Sequence, residues 1–295
     1  MTHLTVPKTY KLYLGGKFPR SESGRTYPVT DVQGRFLANA AQASRKDARD
    51  AVSAARKGFT AWSGATAYNR GQVIYRIAEM LEGRSAQFVE LITTTTGAAA
   101  RTATAEVQTA VERLVHYAGW TDKLAAVFGS ANPVSAPYFS YSAPEPTGVV
   151  AVFAPTGAPL LGLVSVLAPV LAGGNAAVVV AAEPDACTAI ALAEVLATSD
   201  VSGGVVNVLT GSAAELAPHL ARHADVDALD LTGLDDELAA ACQADSAETV
   251  KRVYRPAGVP DFAAAPGTAR LRAFLEIKTV WHPTGAVSLA AGSSY

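Results

Sequence analysis

Four short strand-like segments in the middle of the chain constrain its fold more than any other feature. They are rich in β-branched and small apolar residues, and Ala- and Leu-rich segments of helical length separate them. The strand-like segments are 148–153, 176–180, 205–209 and 228–231, and the segments between them are 160–172, 184–197 and 213–221. Strands that are apolar on both faces and joined by helical crossovers are typical of a parallel sheet covered on both sides. We therefore predict an α/β protein with a Rossmann-like, doubly wound parallel sheet, whose ligands would bind at the carboxyl ends of the strands.

The first third of the chain has a different, helical pattern. Apolar residues recur there at spacings of three and four, which predicts an N-terminal layer of amphipathic helices with one buried face each. The residues that carry this pattern are Ala48, Val52, Ala55, Phe59, Trp62, Val73, Ile77, Leu81, Phe88, Leu91, Val107, Val111, Leu114 and Tyr117.

The last part of the chain contains a single isolated strand. The sequence after Gly233 is rich in Ala, Asp and Pro as far as Pro266, and we expect no further alternation of strands and helices there. Residues 274–283 then alternate, so that one face of a strand carries Leu275, Ile277, Thr279 and Trp281. One strand alone is not stable. It must add to another sheet, either in this chain or in a partner.

Composition excludes several classes of function. The net charge is -2, the isoelectric point is about 6.2, and no run of Lys and Arg is present, so nucleic acid is not an expected partner. The most apolar stretch, 160–172, is shorter than the about 20 residues that cross a bilayer, and the first ten residues lack a signal-peptide pattern. We expect a cytoplasmic protein that has no membrane partner. The two cysteines and five scattered histidines indicate neither a disulfide framework nor a metal site.

Several motifs carry a family resemblance. They are Tyr13–Lys17, Leu91–Gly97, His116–Gly119, Glu145–Val150, Gly174–Asn175, Gly204–Gly211, Val226–Asp227 and Thr232–Gly233. In this order and spacing they resemble the aldehyde dehydrogenase family. Beyond Gly233, only 275–280 is similar to the family, at its C-terminal oligomerisation strand.

The resemblance also shows what this chain lacks. In the family, the stretch between those two points carries a general-base Glu in a Glu-Leu-Gly-Gly context and a nucleophilic Cys in a Gly-Gln-x-Cys context. Neither motif occurs here, and only about 40 residues separate Gly233 from Phe274. That is fewer than the roughly 50 residues of the smallest domains with their own core. We predict that the catalytic domain is missing and that the chain has no catalytic residue.

The family's cofactor contacts are also reduced. By resemblance, Gly157 replaces the Asn that donates to the oxyanion, Val180 replaces a Lys that contacts the adenosine ribose, and Leu234 replaces a Ser. Loss of the ammonium donor would remove a hydrogen bond worth roughly 1.5 to 3 kcal/mol. We expect no cofactor on the isolated chain, or NAD(P) bound weakly.

Three residues remain as vestigial cofactor contacts, namely Glu183, Gly211 and Gly233. Each has a structural explanation that we favour. The glycines suit tight strand-to-helix turns without any phosphate, and the carboxylate of Glu183 suits a helix start.

A cysteine could in principle supply another nucleophile. Cys242 lies in a small-residue helix without an activating context, and Cys187 lies near a helix start, where the helix dipole would lower a thiol pKa. Ordinary packing is the prediction for both. The alternative is an autonomous NAD-binding protein or a residual aldehyde oxidoreductase that uses one of them.

The resemblance implies an oligomerisation element made of two strands, one at 137–142 and the other at 275–281. In the family, such strands add to the catalytic-domain sheet of a neighbouring subunit, so this chain would keep the donor and lack the acceptor. We predict an interface formed by Leu275, Ile277, Thr279 and Trp281, with Tyr138 and Tyr141 on the neighbouring strand. Trp281 would be its anchor.

These features divide the chain into five parts. They are a hairpin and helical part (1–135), a first oligomerisation strand (136–147), the Rossmann-like part (148–245), a linker in place of the catalytic domain (246–273) and the C-terminal strand and tail (274–295). The leading hypothesis is a pseudoenzyme subunit that forms a hetero-oligomer with a full-length NAD(P)-dependent aldehyde dehydrogenase. A self-assembling protein, in which the strand pairs with a copy of itself, is a further alternative.

Overall fold

A computed structural model describes residues 8–258 and 260–284. In these ranges the strands are β1 (Thr9–Tyr10), β2 (Thr26–Thr30), β3 (Phe36–Ala41), β4 (Ser130–Asn132), β5 (Tyr138–Pro146), β6 (Val149–Phe153), β7 (Ala176–Val180), β8 (Val206–Leu209), β9 (Ala228–Asp230), β10 (Arg252–Tyr254) and β11 (Leu275–Pro283). The helices are α1 (Arg45–Gly64), α2 (Ala67–Glu82), α3 (Ser85–Thr96), α4 (Ala100–Ala118), α5 (Leu124–Phe128), α6 (Leu161–Ala172), α7 (Ala186–Leu196), α8 (Ala213–Arg222), α9 (Asp236–Ser246) and α10 (Ala269–Ala273).

The central element is a five-stranded parallel sheet in the order β10-β9-β6-β7-β8. The chain runs outward from β6 to β7 and β8, then returns to the other side of β6 to form β9 and β10. The predicted α/β fold with a parallel sheet is confirmed. The reversal between β6 and β9 is the switch point at which open α/β sheets form their ligand crevices.

Alternation along the strands gives the sheet two cores. On β6, Val150 and Val152 belong to the core that α6 and α7 cover, whereas Val149, Ala151 and Phe153 belong to the core beneath α1 and α8. All five are at most 1% exposed. Because both faces are buried, the strands need no polar positions, which explains their continuous apolar runs.

Helices α2, α3 and α4 form the predicted layer around the first of these cores, whereas α1 packs mainly in the second through Ala48, Ala51, Val52 and Ala55. Helix α1 begins at a capping box, in which the Ser44 side chain accepts from the backbone of Asp47 and the Asp47 carboxylate accepts from the backbone of Ser44. Helices α2 and α4 pack on each other and on α6. Among the described helices, none combines the length and hydropathy needed to span a bilayer.

Regular structure continues past Gly233, so the expectation that alternation ends there is wrong. Helix α9 follows β9, and β10 then adds to β9 in parallel register, pairing Val253 with Leu229. The strand has only three residues, all partly exposed, and therefore carries no recognisable alternation. It completes the sheet within the predicted linker.

A buried ion pair fixes the end of this segment to the sheet. Arg270 on α10 donates to the carboxylate of Asp230 at the end of β9 and, at 2.8 Å, to the hydroxyl of Thr232. Its guanidinium also lies 4.4 Å from the ring centroid of Tyr254. Arg270 is 8% exposed and Asp230 is fully buried. The segment between β9 and β11 is thus part of the sheet domain.

The last strand joins a second, antiparallel sheet in the order β11-β5-β4. Strand β11 pairs with β5 over its whole length, from Leu275 opposite Pro146 to Pro283 opposite Tyr138. Of the two possibilities left by the sequence, pairing within this chain is the one observed. The other long edge of β11 has no strand beside it among the described residues.

Candidate functional site

A cleft of about 650 Å³ lies at the switch point, where β6 and β9 end. Its walls come from the turns after β6, β9 and β10 and from the start of α9. The residues that line it include Pro155, Thr156, Thr232, Gly233, Asp235, Asp236 and Arg255. The volume suits a small ligand or a cofactor, and the position is the one predicted from the strand pattern.

Only one of the three predicted cofactor residues lines this cleft. Gly233 does, whereas Glu183 and Gly211 do not. Glu183 lies in an exposed 3-10 turn after β7, where its backbone carbonyl accepts from the hydroxyl of Tyr27 at 3.0 Å. Val180, at the position of the family's Lys, is 1% exposed and belongs to the core.

Packing alone accounts for both glycines. A Cβ at Gly233 would lie 2.1 Å from the carbonyl oxygen of Ala154, a distance at which no side chain can fit. Gly211 has φ +120°, and a Cβ there would lie 3.2 Å from the backbone nitrogen of Ala43. Glycine is therefore required at both positions without a bound phosphate.

The charges at the cleft oppose a pyrophosphate. The N-terminus of α9 faces the cleft, and such a terminus would ordinarily attract an anion. Here the Asp235 side chain already accepts from the backbone nitrogen of Leu238 at 2.8 Å, and Asp236 and Glu237 occupy the first turn. Arg255 is held 2.5 Å from Asp236. Carboxylates thus already use the favourable end of the helix dipole, and a further anion would meet their repulsion.

Neither cysteine is suited to act as a nucleophile. Cys187 is 2% exposed and Cys242 is fully buried. Burial raises the pKa of each thiol to about 11. At neutral pH both are therefore protonated, and the thiolate that attacks a carbonyl is essentially absent.

The sequence analysis missed a buried arginine that organises the outer wall of the cleft. Arg113 on α4 is 6% exposed and donates to the backbone carbonyls of Phe262 at 2.6 Å and Ala264 at 2.9 Å. Phe262 in turn lies over the start of α6, close to Gly162. The sequence did contain a signal for this residue, because Arg113 lies within the apolar face of a predicted helix, between Ala110 and Leu114.

The second candidate site is the antiparallel sheet. Ile277 and Trp281 are 51% and 56% exposed, on one face. Tyr138 lies on the same face, with its ring 5.9 Å from that of Trp281. Thr279 lies between them, and its hydroxyl is 2.8 Å from that of Ser142. Four of the six predicted interface residues therefore form one accessible surface.

The other two predicted interface residues lie elsewhere. Leu275 is 3% exposed and packs in the core of this chain, because β11 starts inside the body and only its later residues leave it. It is not available to a partner. Tyr141 lies on the opposite face, where its ring stacks 5.8 Å from that of His282. Tyr138 and Tyr141 are three positions apart on one strand, and an odd spacing places their side chains on opposite faces.

Comparison with known proteins gives a consistent family match. The family model described as "Aldehyde dehydrogenase family" matches residues 18–269. The protein DhaS of Bacillus subtilis (strain 168) is 32% identical over 249 residues, which are 83% of this chain and 50% of that protein. This chain thus spans about half the length of the curated relative it matches.

Solved structures agree with this match. HpcC from Thermus thermophilus is 30% identical with a TM-score of 0.79, covering 83% of this chain and 47% of that one. An aldehyde dehydrogenase from Bacillus cereus, solved with NAD+, is 27% identical with a TM-score of 0.78, covering 83% and 50%. We expected that, beyond Gly233, only 275–280 would be similar to the family. That expectation is wrong, because the family model matches the chain as far as residue 269. The match ends before β11.

Proposed function

The chain belongs to the aldehyde dehydrogenase family, and from that premise we propose that it is a non-catalytic subunit of a larger assembly. It would add its β11 edge to a full-length NAD(P)-dependent aldehyde dehydrogenase subunit and stabilise or regulate that enzyme. The observation that carries this proposal is a nine-residue strand whose outer edge pairs with no other strand in 8–258 and 260–284, and on which Ile277 and Trp281 are half-exposed. Strand addition by a partner would cover both.

The chain between β9 and β11 supports the absence of catalysis. Its residues form α9, β10 and α10, and the Arg270 ion pair ties its end to β9. No length remains within this stretch for a second domain. Both cysteines are buried thiols of raised pKa. We therefore assign no catalytic residue within 8–258 and 260–284.

The assembly is tested by capture from an extract of the organism that encodes the chain. A tagged copy should recover a full-length aldehyde dehydrogenase in fixed ratio, and native mass spectrometry should give one defined complex. Recovery of the tagged chain alone, from an extract in which that enzyme is present, would contradict the proposal. The partner's identity would also indicate the aldehyde substrate.

Trp281→Ala should weaken this assembly at least about tenfold, since buried aromatic side chains dominate interface energies. The helical content of the chain should not change, because Trp281 packs outside the core. Titration of the variant against the captured enzyme measures the effect. Tyr68→Ala is the matched control, because Tyr68 is 68% exposed and lies on α2, outside both β5 and β11. If the two variants bind the enzyme with equal affinity, Trp281 does not belong to the interface.

NAD(P) binding is the second proposal to test, and we expect it to be weak or absent. In calorimetric titration the isolated chain should show no saturable binding below roughly millimolar concentrations. Replacing Asp236 and Glu237 by Asn and Gln should increase affinity if their charges repel the pyrophosphate. The matched control exchanges two exposed acids elsewhere, Asp122 and Glu79. Tight binding by the native chain would overturn the electrostatic argument.

A single observation favours a second candidate function, an autonomous NAD-dependent oxidoreductase. It is the cleft of about 650 Å³ at the switch point. This function requires aldehyde-dependent NADH formation by the purified chain, lost in Cys187→Ala or Cys242→Ala. We expect no NADH formation. Activity that depends on either cysteine would replace the non-catalytic proposal.

A further inference from the structure

The antiparallel sheet has two edges of very different length. Strand β4 at one edge has three residues, whereas β11 at the other has nine and extends for about 30 Å. A long, unpaired strand edge is a template for pairing with another strand. No described residue of this chain covers that edge. As far as the described residues show, the edge is therefore open to another strand whenever the proposed enzyme partner is absent.

The sequence of β11 is complementary to itself when read antiparallel. Its midpoint is Thr279, so a two-fold axis there pairs the accessible residues Glu276–His282 with the same residues of a second copy. On one face, Ile277 of each copy then lies opposite Trp281 of the other. On the other face, Glu276 of each copy lies opposite His282 of the other. A β-branched residue opposite an aromatic residue is among the cross-strand pairs that stabilise sheets.

We propose that the free chain forms a symmetric homodimer in which β11 pairs with β11 of a second copy about an axis at Thr279. The two three-stranded sheets become one sheet of six strands, in the order β4-β5-β11 followed by β11-β5-β4 of the second copy. Ile277 and Trp281, half-exposed in one chain, cover each other across the axis.

Neighbouring registers are less favourable. With the axis at Ile277, Glu276 would face Lys278 of the second copy, but the end of the strand from Val280 would lose its partner and Trp281 would stay exposed. These two charged residues are already satisfied within the chain, since Glu276 pairs with Arg252 and Lys278 pairs with Glu145 at 3.2 Å. The axis at Thr279, by contrast, pairs the whole accessible part of the edge, Glu276–His282.

The homodimer rests on the proposed function for its biological meaning, because it occupies the edge that the enzyme subunit would use. Free chain would be held as a soluble dimer, and hetero-assembly would exchange one strand partner for another. The amount of enzyme partner would then set the fraction of chain in each state.

Disulfide trapping tests the register in the purified chain. Opposite residues of an antiparallel pair have Cα atoms about 4.5 to 5.5 Å apart, which is within the range a disulfide spans. Thr279→Cys should therefore form a covalent dimer under mild oxidation. Glu276→Cys alone should not, because two copies of residue 276 lie about 20 Å apart. Mixing Glu276→Cys with His282→Cys should restore cross-linking, and the native cysteines are buried and do not interfere.

The outcomes separate this inference from the proposed function. A covalent dimer at Thr279, together with a dimeric mass of the native chain in light scattering, supports it. A monomeric native chain at micromolar concentrations, or cross-linking at Glu276 alone, overturns it, whatever the capture experiment recovers. Ile277→Lys should give a monomer with an unchanged circular dichroism spectrum, and a dimer of that variant would also overturn it.

Discussion

Replacement of Arg270 by alanine is expected to lower the free energy of unfolding by about 3 to 5 kcal/mol. Asp230 is fully buried, and the Arg270 guanidinium is the only cation that pairs with it among the described residues. Removing that partner leaves a buried carboxylate that keeps its hydrogen bonds from the backbone nitrogen and hydroxyl of Thr232 but has lost its opposite charge. It also removes a donor to Thr232 and the contact with the Tyr254 ring. Urea denaturation followed by circular dichroism measures the loss.

Arg272→Ala is the matched control, since this neighbour on α10 is more accessible to solvent and should change stability by less than about 0.5 kcal/mol. The double variant Arg270→Ala with Asp230→Ala should recover part of the loss, because the unpaired carboxylate is gone. An Arg270→Ala variant as stable as the native chain would mean that the segment between β9 and β11 does not depend on this pair.

The central sheet could be predicted from sequence because its strands are buried on both faces. An apolar run such as 176–180 can be recognised as a buried strand without information from the rest of the chain. Strand β10 could not, since Arg252–Tyr254 is short and partly exposed throughout, and its place is determined by the β9 edge beside it. The Arg270–Asp230 pair joins residues 40 positions apart. No local pattern identifies such a pair.

Some features of the candidate site could likewise be predicted from the sequence, and others could not. The position of the cleft followed from strand order, and the three acids that begin α9 are visible in the sequence at 235–237. The reason for glycine at 233 was not visible, because it depends on the approach of the Ala154 carbonyl. For the antiparallel sheet, alternation gave the correct face for Ile277 and Trp281. It could not reveal that β11 starts in the core at Leu275.

Asp185 provides the second large effect, a stability that falls as pH rises. It lies at the start of α7 and is 7% exposed, and its buried Oδ2 atom has no hydrogen-bond partner in the part of the chain that the structure describes. Burial, together with the nearby Glu106 carboxylate, raises the pKa of Asp185 from 3.8 to about 7. Glu106 itself caps α6, accepting from the backbone nitrogen of Leu160 at 2.9 Å. Two carboxyl groups thus meet where α6 and α7 begin.

The sign of the pH effect follows from linkage. The folded chain holds the Asp185 proton more tightly than the unfolded chain does. At pH values below 3.8 the carboxyl is neutral in both states, so Asp185 does not lower the free energy of unfolding. Between 3.8 and about 7 its contribution to stability decreases with rising pH, and above that range the full cost remains. At about 1.4 kcal/mol for each unit of pKa, that cost is up to about 4 kcal/mol.

Asp185→Asn should therefore raise the free energy of unfolding by up to about 4 kcal/mol at slightly alkaline pH. The same variant should change it little at pH values below 3.8, where the native carboxyl is already neutral. Urea denaturation across this pH range measures the difference between the two chains. Asp122→Asn, at an exposed turn, is the control and should leave the profile unchanged. If Asp185→Asn is less stable than the native chain at every pH, the start of α7 must stabilise the ionised carboxylate. Burial would then not be the dominant influence on the pKa of Asp185.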